Sequence, residues 1–181
     1  MLRNRVLGYR AQTRSRIVAY CVTFTLLLVL MASMQVALLG RWRPLGAVPD
    51  LMLVTVLGIA FFAGQYAGAI TGIGAGFLIE AMGSQGISIL PVVYMVGAYV
   101  VGHYARTVKK AKYPAYLFYL GCALLLRAGV TVTYTALTYQ TLDLVRVLLY
   151  AVLPEMLVTA LAGVVSYFPI GIICRLLARK K

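Results

Sequence analysis

Residues 51–82 read LMLVTVLGIAFFAGQYAGAITGIGAGFLIEAM, thirty-two positions with a single charged residue, Glu80. One membrane-crossing helix needs about 20 residues. The run is therefore too long for one perpendicular span and short for two, and its neighbours decide between them. Basic residues gather in three clusters: Arg3, Arg5, Arg10, Arg14 and Arg16; then Arg106, Lys109, Lys110 and Lys112; then Arg175, Arg179, Lys180 and Lys181. Short cytoplasmic segments collect Lys and Arg. Putting all three clusters on one side demands an even number of crossings between each consecutive pair. The apolar runs 17–39 and 87–105 give two crossings between the first and second clusters, so 51–82 contributes two, turning at Gly64 and Gln65. The runs 114–138 and 145–177 supply the pair between the second and third clusters.

This reading predicts an all-α polytopic membrane protein. Its six transmembrane helices are placed at about 17–39, 51–63, 66–82, 87–105, 114–138 and 145–177, after a basic cytoplasmic tail at 1–16. Both termini are expected in the cytoplasm, with outer loops at 40–50, 83–86 and 138–144. The two helices cut from 51–82 are short, about 22 Å each at 1.5 Å per residue. The last run is too long for one perpendicular span and contains Pro154, so its crossing is expected from about Pro154 onward, with 145–153 partly at the outer interface. The first run, at 23 residues, exceeds a signal-peptide core of about 7–15 and reads as a retained span.

Composition agrees. Hydrophobic residues make up 62% of the 181 positions and charged residues only 12%, against roughly a quarter charged in soluble domains. Seventeen basic and four acidic residues give a net charge of +13. The basic residues sit at the ends of apolar runs, without the interleaved aromatics of a base-stacking platform. They therefore point to orientation in a lipid bilayer and away from nucleic acid. Cys21, Cys122 and Cys174 lie singly in apolar runs and read as small buried hydrophobes. His103, the one histidine, reads as a helix end at the interface. No nucleophile–base pair, metal-ligand spacing or cofactor fingerprint appears, so neither enzymatic activity nor a cofactor is expected.

Two constellations stand out. Gly64, Gly68, Gly72 and Gly76 recur every fourth residue, which lines one helix face with hydrogen atoms and lets another backbone approach closely. The expected partner helix is within the chain. Arg127 lies near the middle of its apolar run, where an isolated charge costs about 2.5–3.5 kcal/mol or more. It requires an acid, and Glu155 and Glu80 are the acids inside apolar runs. Arg127 precedes Thr138 by 11 residues and Glu155 follows Leu144 by 11, so straight helices put these two at equal depth, with Glu80 as the competitor. A register-fixing ion pair is favoured over an ion relay or substrate pocket. Asp50, after Pro49, reads as a helix start with its carboxylate at the positive end of the helix dipole.

Residues 34–54, MQVALLGRWRPLGAVPDLMLV, resemble the rod shape-determining membrane protein MreD family. Gln35 matches a Gln near the outer end of that family's first span, and Gly46, Pro49 and Asp50 match its Gly-x-x-Pro-Asp element. Residues 68–88, GAITGIGAGFLIEAMGSQGIS, resemble its Gly-rich helix ending in an acid and a Gly/Ser loop, with Glu80 where Asp is usual. The resemblance implies a non-enzymatic scaffold of the bacterial elongation machinery in the inner membrane. Such a scaffold binds MreC and helps couple MreB filaments to RodA and its penicillin-binding partner. The MreD fold is similar to the substrate-binding subunits of energy-coupling-factor vitamin transporters, which supplies the alternative expectation. The first span here has Ala19, Ala32 and Ala37 without those subunits' Ala-x-x-x-Ala spacing.

Overall fold

The turn that ends the loop before residue 51 shows why a helix starts there. Asp50 caps it: its Oδ1 accepts a hydrogen bond from the Leu53 backbone N–H at 3.0 Å, one of the four donors a helix start leaves open. In this computed structural model, residues 2–39, 48–82, 89–105, 112–138 and 148–179 are described. They form helices α1 (Leu2–Met34), α2 (Leu51–Ala63), α3 (Gln65–Ala81), α4 (Leu90–Ala105), α5 (Lys112–Thr138) and α6 (Leu153–Arg179). One π-helical segment, Gln35–Leu39, continues α1, and another, Leu148–Val152, leads into α6. Among the described residues there is no strand.

Successive helices reverse direction, as contacts at two levels show. Near Asp50, the Met52 N–H donates to Gln35 Oε1 of α1, and Arg127 of α5 and Thr159 of α6 both reach Asp50. Near Gly64, α2 packs Phe61 on Tyr116 of α5 and Phe62 on Tyr167 of α6, while Tyr20 of α1 packs beside Phe62 and Ala63. Helix α3 folds back on α2 about Gly64, so that Gly68 faces Ala60. It then runs antiparallel to α4, with Gln65 against Gly102 and Gly72 against Tyr94. The six helices thus go up and down alternately between an Asp50 end and a Gly64 end.

The turn at Gly64 is a single residue with φ 103° and ψ 175°, a backbone state that only glycine adopts without strain. The sequence reading placed this turn correctly. It also put Gly64 on the packing face with Gly68, Gly72 and Gly76, and here the roles divide. Gly64 makes the turn, whereas the other three press on neighbours. A Cβ added at Gly72 would lie 2.7 Å from the Tyr94 carbonyl oxygen, one at Gly76 would overlap the Pro91 backbone, and one at Gly68 would overlap Ala60. The glycine face is therefore used inside the chain, chiefly against α4.

Helix α2 is the central post. All ten residues from Leu51 to Ala60 are buried, which is why this segment is apolar on every side. The outer helices instead expose Leu26, Ile70, Phe118, Leu125, Leu161 and Val165. Large apolar side chains on the outer faces of several helices have no place in water. Three stretches, Val18–Ala37, Tyr113–Leu137 and Leu153–Leu177, are long and apolar enough to cross a membrane, and Leu51–Ala63 and Leu90–Ala105 are shorter apolar helices. The chain is membrane-embedded.

Two details differ from the sequence reading. Helix α1 extends down to Leu2, so the basic 1–16 segment continues the helix; it contains no proline to stop it. Cys21 and Cys122 are exposed and only Cys174 is buried. The last long apolar helix begins at Leu153, next to Pro154, as the sequence reading expected, and the π-helical segment Leu148–Val152 leads into it. Gly46, Arg41, Arg43 and the expected outer loops 83–86 and 139–143 lie outside the described residues.

Candidate functional site: a buried polar cluster at the head of the central helix

The polar groups of the membrane interior converge on Asp50. The side chain of this residue is fully buried. Its Oδ1 caps α2, while Oδ2 accepts from the Tyr94 hydroxyl of α4 and pairs with Nη1 of Arg127 from α5. Its backbone N–H donates to Thr159 Oγ1 of α6 at 3.0 Å. Arg127 Nη2 reaches Glu155 Oε1 at 2.8 Å. Two residues along, the Met52 N–H donates to Gln35 Oε1 at 3.2 Å. One turn of backbone therefore ties together α1, α2, α4, α5 and α6.

Arg127 suits this position because its planar guanidinium presents several donors in a fixed fork. Here the fork grips two carboxylates from different helices. Its Nε is buried without a partner among the described residues. It lies beside a cavity of about 10 Å³ lined by Leu124, Ala128, Thr131, Val152, Glu155 and Met156, the size that one water molecule occupies. No room for a larger ligand exists there.

Exposed tyrosines give the depth of the cluster. Tyr66, Tyr104 and Tyr113 are exposed toward the Gly64 end, and Tyr134 and Tyr150 toward the Asp50 end. Tyr side chains prefer the two faces of a bilayer. Along α5, Tyr113 and Tyr134 are 21 residues apart, about 32 Å of helix, close to the roughly 30 Å of a hydrocarbon core. Arg127 stands seven residues, about 10 Å, inside Tyr134. The ion cluster is thus well within the apolar layer.

The sequence reading paired Arg127 with Glu155, and the structure brings these together. Glu80, the competitor, lies apart at the last turn of α3, with Oε1 buried and without a partner among the described residues. Asp50 was read only as a helix start. It is that, and it is also the more deeply buried partner of Arg127. Tyr94 and Thr159 were not anticipated. Gln35, Pro49 and Asp50, the described residues of the Gln and Pro-Asp motifs, gather at the head of α2. Among the described residues, no group of three or more His, Cys, Asp or Glu side chains is arranged to hold a metal. Comparison with protein-family models, with characterised proteins and with solved structures finds no match to this chain.

Proposed function

We propose that the chain is a non-enzymatic membrane scaffold of the MreD type. In this reading it has six spans with both termini in the cytoplasm of a bacterial inner membrane. It binds the membrane segment of MreC and helps couple MreB filaments to RodA and its penicillin-binding partner. The observation that carries the reading is the site itself. Of the residues on which the resemblance rests, Gln35, Pro49 and Asp50 meet at the start of α2, where Arg127 holds Asp50, while Glu80 lies apart at the end of α3. A charge-locked head on a central helix, whose cavity beside Arg127 holds about one water among the described residues, fits a body that presents fixed surfaces to other membrane proteins. The alternating helix directions and the basic residues flanking the Gly64 end support the six-span topology.

The test is affinity purification from native membranes together with deletion in a rod-shaped host. Recovery of MreC, and rounded cells on deletion, are expected. Rod-shaped cells that lose uptake of a vitamin, with an ATPase module co-purifying, would replace this reading with that of a transporter's substrate-binding subunit.

A further inference from the structure

Between α1 and α3 runs an apolar groove of about 680 Å³, floored by Phe62 and Ala63 of α2 and by Cys174 of α6. Tyr20 and Phe24 line one wall, and Ala67 and Gly74 the other. It begins at the Gly64 end and stops midway across the bundle. There Leu28 faces α3, and a Cβ added at Gly74 would make ordinary contact with Leu28 Cδ1 at 3.9 Å. From Tyr20 to Leu28 the groove spans eight residues, about 12 Å, close to half of a hydrocarbon core. A partner's transmembrane helix, about 10–12 Å across with its side chains and continuing through the whole bilayer, has no seat in a slot that ends halfway. A single acyl chain from one leaflet does.

The charge at the groove mouth selects the headgroup. Arg175, exposed, directly follows Cys174 of the groove floor, and Arg16 lies one helical turn before Tyr20. The helix ends on this side are flanked in sequence by Arg3, Arg5, Arg10, Arg14, Arg106, Lys109, Lys110, Lys112, Arg179, Lys180 and Lys181. Among the described residues, the acids Asp50, Glu80 and Glu155 all lie toward the opposite ends of their helices. A cluster of cations next to a lipid-facing slot attracts an anionic headgroup. We propose that this groove is a binding site for one anionic phospholipid of the leaflet at the Gly64 end, with an acyl chain between α1 and α3 and its phosphate against Arg175. The inference rests on membrane embedding and does not depend on the scaffold reading.

The experiment is native mass spectrometry of the full chain released from nanodiscs of phosphatidylglycerol and phosphatidylcholine in equal parts. One retained phosphatidylglycerol is expected, preferred severalfold over phosphatidylcholine. Gly74→Leu fills the groove from a helix position whose added Cβ meets only Leu28, and Ala67→Leu fills it from the lining; each should lower retention at least tenfold. Arg175→Gln should leave retention of phosphatidylcholine unchanged and weaken phosphatidylglycerol about fivefold, the effect of one cation near a membrane surface. Thermal unfolding of each variant, unchanged from the parent, shows that the loss is not misfolding. If a filling variant unfolds early, the Arg175→Gln result stands alone as the test. Equal retention of both lipids by the parent, or undiminished retention in the folded filling variants, overturns the proposal. So does a second copy or another protein held in the groove.

Discussion

Replacing Arg127 by Leu removes the cation that pairs with both Asp50 and Glu155. Asp50 keeps its cap on Leu53 and its bond from Tyr94, but its charge is left inside the apolar layer. In soluble cores, breaking a buried ion pair by removing one partner costs about 3–5 kcal/mol; in a bilayer, water defects and side-chain bending reduce this. Glu155→Leu should cost less, because that side chain is 24% exposed, whereas that of Asp50 is fully buried and still holds the arginine. We expect about 2–4 kcal/mol for Arg127→Leu, scaled down from the soluble value. For Glu155→Leu we expect a smaller loss than for Arg127→Leu, because Arg127 keeps Asp50 as its partner and no charge is stranded. The double change Arg127→Leu with Glu155→Leu should not recover stability, since Asp50 remains stranded. Adding Asp50→Asn should recover part of it, because the amide keeps a cap acceptor without the charge. Reversible unfolding in mixed micelles with increasing dodecyl sulfate measures these differences. If the Arg127/Glu155 double variant matched the parent, Asp50 would not be the principal partner of Arg127 and the account of the cluster would be wrong.

Three further expectations follow from particular contacts. Gly76→Ala forces a methyl into the Pro91 backbone and should cost about 1–3 kcal/mol, whereas Gly129→Ala meets nothing within 4 Å and should be neutral or stabilise by up to about 1 kcal/mol; equal effects in the same unfolding assay would count against the glycine packing. Thr159→Val keeps the shape but removes the acceptor for the buried Asp50 N–H, a loss of about 1–3 kcal/mol, and Thr159→Ser should behave like the parent. In a cysteine-free background, single cysteines at 1–16, 106–112 and 178–181 should be protected from an impermeant thiol reagent added outside cells, while those at 83–86 and 139–143 should react; an externally labelled C-terminus would refute the six-span topology.

Much of the architecture was legible because membrane packing writes it in residue size and charge. The turn at Gly64 could be placed because parity of the basic clusters required two helices in 51–82, and a glycine stood near the middle. The pairing of Arg127 with Glu155 followed from equal distances to the nearest loops. Asp50 as a partner did not follow, because Pro-Asp after a loop suggests a surface position. The short length of α2 held the missing clue. A helix of 13 residues, about 20 Å long, cannot reach both faces, and since its Gly64 end lies level with the ends of its neighbours, its head must lie inside. Tyr94 and Thr159 carry no pattern that separates them from the other hydroxyls of apolar helices. Their role exists only once three helices meet.

The central position of α2 has a consequence for how the protein is made. Asp50 leaves the ribosome near the start of the chain, but its hydroxyl partner Tyr94 comes 44 residues later and Thr159 comes 109 residues later. At about 5–20 residues per second, the acid waits on the order of 5–20 seconds before the last of these is even synthesised. Until Arg127 has been made, later than Tyr94 and earlier than Thr159, the carboxylate lacks its cation. A chain cut short before α5 therefore carries an unanswered charge at the head of an otherwise apolar segment.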